Sequence, residues 1–101
     1  MTPSQALDTI DELIKDLTEQ LAAAETRYAT ELRVYQFALI EHYATEPDLP
    51  INLSHLENAA REEHTQIVQL RQRKEAVARL RATLGKKPEL LEQMAQALEV
   101  R

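Results

Sequence analysis

The chain has 101 residues, of which 44% are apolar and 29% charged, and its formal net charge is −5 at pH 7. This size suits a single domain spanning residues 1–101, and the composition is that of a folded protein rather than a disordered one. The absence of cysteine excludes disulfides, thiolate metal sites and cysteine nucleophiles. The N-terminal residues lack the basic and apolar regions of a signal peptide, and no run of about 18 apolar residues occurs. We therefore expect a cytoplasmic protein without membrane contact.

Strong helix formers dominate the sequence, which has many Ala, Leu, Glu, Gln and Arg residues but only one Gly and one Phe. Clusters of β-branched and aromatic residues, which strands favour, are missing. The composition therefore predicts an all-α fold.

The first predicted helix spans residues 3–45. Pro3 suits the first helical position, and Thr2 with Gln5 matches the Thr-x-x-Gln capping box. Pro47 disfavours helical geometry in the residue before it, so the helix should end near residue 45.

The remaining elements follow in chain order as a loop over residues 46–53, a helix over 54–84 and a short helix over 88–99. Ser54 and Glu57 match a Ser-x-x-Glu capping box, and Gly85 suits a left-handed residue at the end of the second helix. The third helix has about 12 residues and would be marginal alone, so we expect it to dock on another element.

Apolar residues of the two long helices form a coiled-coil seam with steps of three and four residues. Beyond Tyr28 the spacing approaches 3.6, and Phe37 and Ile40 widen the stripe, which indicates more than one packing neighbour there. The expected core residues are Ile10, Ile14, Leu17, Leu21, Tyr28, Leu32, Tyr35, Leu39, Leu56, Ile67, Leu70, Val77 and Leu84.

The predicted architecture is a long antiparallel helical hairpin plus a short C-terminal helix. With the turn centred near residue 49, residue i of the first helix should face roughly residue 98 − i of the second. A hairpin cannot bury both of its wide apolar faces alone. The alternatives are a three-helix bundle closed by the last helix and a dimer that forms a four-helix bundle. The first helix is much longer than the third can cover, which favours the dimer.

Residues 71–87 contain seven basic residues and one acidic residue. One interpretation is a nucleic-acid surface. The other is an internal complement to the acidic residues between positions 8 and 25, which we favour because the whole chain is acidic and no aromatic residues interleave with the basic ones. The candidate nucleic-acid contacts are Arg71, Lys74, Arg79, Arg81, Lys86 and Lys87.

The sequence offers little to support catalysis or metal binding. In the predicted register His42 lies opposite His55, which allows a metal or pH-sensing pair, but no Glu-x-x-His or His-x-x-x-His spacing occurs. His64 lies near the seam among glutamates and is expected at the core edge rather than as a base. We predict no catalytic residues, no metal site and no cofactor.

The order of a long helix, a middle helix and a final helix resembles the all-helical chorismate mutases, with residues 8–11 (Asp-Thr-Ile-Asp) and 85–91 (Gly-Lys-Lys-Pro-Glu-Leu-Leu) carrying the likeness. The resemblance implies a cationic cage for a dicarboxylate substrate. Asp8 occupies the position of the first expected arginine, and no lysine follows Arg27 at the family's spacing. The likeness is therefore architectural, and we assign no family; an enzyme that holds a small anionic substrate between helices is the third alternative.

We expect a non-enzymatic protein–protein interaction module, acting as a helical homodimer in the role of adaptor, chaperone, assembly factor or inhibitor of a larger protein complex. The alternative is a nucleic-acid-associated regulatory protein using residues 71–87. An apolar loop end needs a cover, which is either a partner or the bundle itself. The candidate partner-binding residues are Phe37, Ile40, Leu49, Ile51, Leu91 and Met94.

Overall fold

The computed structural model describes residues 1–99, which form three α-helices and, within that range, no strand. Helix α1 covers Pro3–Thr45, α2 covers Ser54–Leu84 and α3 covers Pro88–Ala97, with lengths of 43, 31 and 10 residues. The predicted all-α class is confirmed. Across the described range, none of these helices combines the length and the apolarity needed to cross a bilayer.

The start of α1 is fixed by a reciprocal pair of hydrogen bonds. The backbone N–H of Gln5 donates to Oγ1 of Thr2 at 3.1 Å, and the backbone N–H of Thr2 donates to Oε1 of Gln5 at 2.9 Å. Each bond satisfies a donor that the first helical turn leaves without an intrahelical acceptor. The capping box predicted at this end is confirmed.

The start of α2 differs from the predicted capping box. The hydroxyl of Ser54 donates to Oδ1 of Asn52 at 2.7 Å, and the backbone N–H of Ser54 donates to the same oxygen at 3.0 Å. The backbone N–H of Glu57 instead donates to the carbonyl of Leu53 at 3.0 Å, while its carboxylate accepts from Arg61. The predicted Ser54–Glu57 capping box is wrong. The Glu57 N–H bonds to the carbonyl of Leu53 instead of the Ser54 side chain, and the Ser54 hydroxyl donates to Asn52.

The end of α2 lacks the predicted left-handed residue. Gly85 does not have a positive φ. The N–H groups of Lys86 and Lys87 donate to the carbonyls of Thr83 and Leu84, at 3.0 and 3.4 Å. These short-range bonds form turns through Gly85 and Lys86 without a left-handed residue, and Lys87 leaves the helical conformation with φ −131° and ψ 79° just before α3.

Two compact units make up the chain, and the first comprises Met1–Gln20 with residues 70–99. Its buried residues come from all three helices, and Leu17 and Leu84 are its largest fully buried side chains. On its surface, the guanidinium of Arg81 donates to a carboxylate oxygen of Asp11 at 3.0 Å. The buried set of this unit is Ala6, Ile10, Leu17, Leu84 and Ala95.

The second unit is Leu21–Gln69, in which the end of α1 packs on the start of α2 around the buried residues Ala24, Ala60 and Ile67. Arg27 donates to Glu63 at 3.1 Å, and the rings of Tyr28 and His64 lie with centroids 5.6 Å apart. From the level of the Tyr28–His64 contact, α1 continues for about 25 Å and α2 begins about 15 Å earlier along its own axis. Parallel segments would leave the eight loop residues about 40 Å to span, more than their extended length of about 31 Å, so the two segments of this unit run in opposite directions.

The register within each unit differs from the predicted one. Tyr28 lies beside His64, whereas the prediction placed it opposite residue 70. Asp11 pairs with Arg81 rather than facing residue 87. In the second unit, the alignment of Tyr28 with His64 places Ser54, the first residue of α2, level with about residue 38 of α1. Helix α1 therefore continues for about seven residues, roughly 10 Å, beyond the start of α2. Residues 46–53 must cover that distance, and the predicted turn centre at residue 49 is therefore wrong.

The predicted seam residues are distributed over both units. Ile10, Leu17, Ile67 and Leu84 are buried. The other nine are half-buried: Ile14, Leu21, Tyr28, Leu32, Tyr35, Leu39, Leu56, Leu70 and Val77. Whether this seam also contributes to a dimer core stays a prediction.

Candidate interaction surface

A row of exposed apolar side chains follows the C-terminal part of α1 in the second unit. Val34, Phe37, Ile40 and Tyr43 are 45, 59, 63 and 62% exposed. Residues three positions apart are neighbours on a helix, so the four side chains form a continuous surface, the α1 apolar row. Tyr43 is exposed because α1 extends past the level at which α2 begins.

The other candidate partner-binding residues lie in different places. Leu49 and Ile51 of the loop are exposed and belong to the same unit as the α1 apolar row. Leu91 and Met94 are half-buried on α3 in the first unit. Their roles stay predictions. Sequence reasoning singled out Phe37 and Ile40 but not Val34, because a lone valine gives little signal.

A shallow depression lies on the exposed side of α1, next to the apolar row. The hydroxyls of Thr26 and Thr30 donate to the carbonyls of Ala22 and Thr26, both at 3.1 Å, so these donors are satisfied within the helix. The lining of the depression combines small side chains with larger and charged ones. The lining residues of this α1 depression are Ala22, Glu25, Thr26, Ala29, Thr30, Arg33, Val34 and Phe37. Sequence reasoning missed most of them; the only available signal was the spacing of small residues by three and four.

A cleft between α1 and α2 is a second concave candidate site in this unit. Tyr28, Leu32 and Tyr35 line one side, and Ala60, His64 and neighbouring residues line the other. The Tyr28 and His64 rings are tilted by 53° and pack against each other.

The cation of this cleft is already paired. Arg61 lines it, and its guanidinium donates to the carboxylate of Glu57 one turn earlier on the same helix. An anionic substrate would have to compete with that carboxylate for the guanidinium. The arrangement suits helix packing better than it suits binding of an anion.

The basic segment belongs to the first unit. Arg81 is held by Asp11, and Lys74 is half-buried. Arg79, Lys86 and Lys87 are exposed. Arg71 is also exposed and has a contact within the chain. The six candidate residues are thus divided between an internal charge complement and a surface open to solvent.

The observed register does not place His42 level with His55, as the predicted register did. His42 packs edge-on against Tyr43, its neighbour in the chain, with ring centroids 5.7 Å apart. His55 lies near the start of α2, level with α1 residues before His42 in the register described above. Across residues 1–99, no three His, Cys, Asp or Glu side chains are grouped so that they could hold a metal ion.

Comparisons with protein-family models, with curated proteins and with solved structures give no significant match for this chain. What the second unit offers is an exposed apolar surface along α1, which is suited to packing against another helix.

Proposed function

We propose that this chain is a non-enzymatic protein–protein interaction module that works as a helical homodimer, with the α1 apolar row as its main contact surface. The observation that carries the proposal is the exposure of four apolar residues, each between 45 and 63% accessible to solvent: Val34, Phe37, Ile40 and Tyr43. Contiguous apolar surface of this kind is unfavourable in water and marks contact sites in small proteins. The roles compatible with such a surface are adaptor, chaperone, assembly factor or inhibitor of a larger complex.

The proposed architecture is an antiparallel hairpin of α1 and α2 that dimerises into a four-helix bundle. The opposite directions of the two segments within the second unit support the hairpin. The dimer is supported by the need to cover the α1 apolar row, which α2 leaves exposed.

A photo-crosslinking experiment tests the proposal. Tyr43 is replaced by a benzophenone amino acid, which preserves an aromatic ring at an exposed position, and the chain is irradiated in its native cells. We expect discrete protein adducts that disappear when Ile40→Asp is added. Leu13→Asp is the matched control, because Leu13 is also an exposed apolar residue of α1 but lies in the first unit. Adducts that persist unchanged with Ile40→Asp would contradict the proposal.

The second candidate function is a nucleic-acid-associated regulator, which the exposed cations Arg79, Lys86 and Lys87 favour. The pairing of Arg81 with Asp11 supports the internal charge complement instead. A gel shift at low salt that is lost in the Arg79→Ala/Lys86→Ala/Lys87→Ala variant would support nucleic-acid binding, which weakens as salt rises. Absence of a shift at low salt would remove this candidate.

A further inference from the structure

We propose that the α1 depression is where a second copy of this chain docks, with the two α1 helices antiparallel about a two-fold axis level with the midpoint between Ala29 and Thr30. This inference rests on the proposed function and specifies its dimer contact. The site lies entirely on one helix of the second unit and extends over residues 22–37, about 24 Å along the helix axis.

The positions of the lining residues, spaced three and four apart, coincide with one another when the helix is reversed about this axis. Under an antiparallel two-fold axis, positions equally far before and after the axis in one copy lie level with each other across the contact. Ala29 is then level with Thr30 of the second copy at the centre. One turn out, Thr26 is level with Arg33 of the second copy, and two turns out Ala22 is level with Phe37.

Side-chain size is complementary in this arrangement. Phe37 is 59% exposed and projects where the second copy has only the methyl group of Ala22. Small residues near the centre allow the two helix axes to approach closely, which increases van der Waals contact. The threonine hydroxyls at the contact lose little on leaving water, because each already donates to a carbonyl of its own helix.

Charge is complementary in the same orientation. Glu25 and Arg33 lie about one turn before and one turn after the axis, so each is almost level with the other residue of the second copy. Glu25 already has a contact within its own chain, but a carboxylate accepts several hydrogen bonds. A parallel pairing would set glutamate against glutamate and Phe37 against Phe37, which the antiparallel pairing avoids.

These matches indicate a second copy rather than an unrelated helix. A foreign partner requires only that the surface be apolar. An isologous contact requires that large residues on one side of the axis be balanced by small ones on the other, and acidic residues by basic ones. The α1 depression meets the first requirement with Phe37 and Ala22, and Glu25 and Arg33 lie within one residue of meeting the second.

Disulfide crosslinking tests the geometry, since the natural chain has no cysteine. Gln36 is exposed and lies one residue before Phe37, so Ala22→Cys with Gln36→Cys should give a covalent dimer under mild oxidation. Each single variant should stay uncrosslinked, because the two copies of position 22 would be about 22 Å apart along the axis, beyond the reach of a disulfide. Ala29→Cys alone should crosslink. A parallel dimer would crosslink with Ala22→Cys alone, which would overturn the proposal.

Charge reversal gives an independent measurement by analytical ultracentrifugation. Arg33→Glu should raise the dimer dissociation constant about tenfold. The two-fold axis repeats the Glu25–Arg33 contact, so the variant loses two ion pairs. Adding Glu25→Arg should restore most of the affinity. Circular dichroism checks that each variant keeps its helix content, which is expected because positions 22, 25, 33 and 36 are exposed.

The outcomes separate this inference from the proposed function. A chain that is monomeric at every concentration, with the double-cysteine variant no more crosslinked than the single ones, would overturn self-docking. Foreign-protein adducts at Tyr43 that depend on Ile40 would still support the interaction role in that case. Crosslinking in the predicted pattern together with no foreign adducts would support the dimer and leave the chain without an external partner at this row.

Discussion

Gly85 is the chain's one glycine, and its backbone conformation is open to other residues. A Cβ at this position would meet the Ala82 carbonyl oxygen at 3.5 Å, an ordinary contact distance. Gly85→Ala should therefore stabilise the protein by about 0.4–1 kcal/mol, mainly because alanine reduces the conformational entropy of the unfolded chain. Urea unfolding followed by circular dichroism measures the change.

The reverse substitution one turn earlier provides the control for Gly85→Ala. Ala82→Gly, at an exposed position inside α2, should destabilise by about 1 kcal/mol because glycine is the poorer helix former. If Gly85→Ala instead lost more than about 1 kcal/mol, the connection between α2 and α3 would need the left-handed conformation after all.

Asn52 rather than Ser54 should be the more sensitive residue at the start of α2. The Asn52 side chain accepts both the N–H and the hydroxyl of Ser54. Asn52→Ala should cost about 1 kcal/mol, within the range of helix-cap deletions, and Ser54→Ala should cost less because its backbone N–H keeps its acceptor. Chemical denaturation of the two variants side by side checks the order, and a larger loss for Ser54→Ala would restore the predicted capping box.

The two capping motifs show what sequence can and cannot decide at single residues. Thr2 has no competing acceptor just before it, and its motif forms as written. Ser54 carries an equally good motif, but Asn52 lies two residues upstream and offers a side-chain oxygen. Short-range competition of this kind depends on the loop geometry, which the motif does not contain.

At the level of the elements, Leu17 is the sharpest test of the first unit's core. Its side chain is 1% exposed, whereas Leu13 on the same helix is 41% exposed. Leu17→Ala should destabilise by about 2–5 kcal/mol, because it removes buried methyl groups and leaves a cavity. Leu13→Ala should cost under about 1 kcal/mol, and similar losses for the two variants in denaturant titrations would show that α1 is rotated about its axis.

The helices themselves followed from composition, prolines and apolar spacing, whereas their register did not. Every seven-residue step along a heptad seam offers nearly the same apolar contacts, so the seam alone leaves several alignments close in energy. The prediction resolved the choice by placing the turn at residue 49. The eight residues of the loop instead allow α1 to extend about two turns past the start of α2, and Tyr43 is left exposed as a result.

For the molecule as a whole, the candidate surface was predicted only where its residues are large. Phe37 and Ile40 stood out from the sequence because bulky apolar residues outside the seam need a partner. Ala22, Thr26 and Ala29 could not stand out, because alanine and threonine are common on any exposed helix face. Their meaning depends on which side of α1 faces away from α2, and that orientation comes from the structure.

The stability of the molecule should depend on protein concentration if the two-fold contact forms. Mass action favours the dimer as concentration rises, so the thermal midpoint should increase by about 3 °C per tenfold increase in concentration while dimer predominates. Ala29→Glu places two carboxylates at the centre of the contact and should give a midpoint that does not change with concentration. Because Ala29 is exposed on α1, the variant should retain its helix content. Calorimetry over a hundredfold concentration range distinguishes the two behaviours, and a constant midpoint for the natural chain would mean that it unfolds as a monomer.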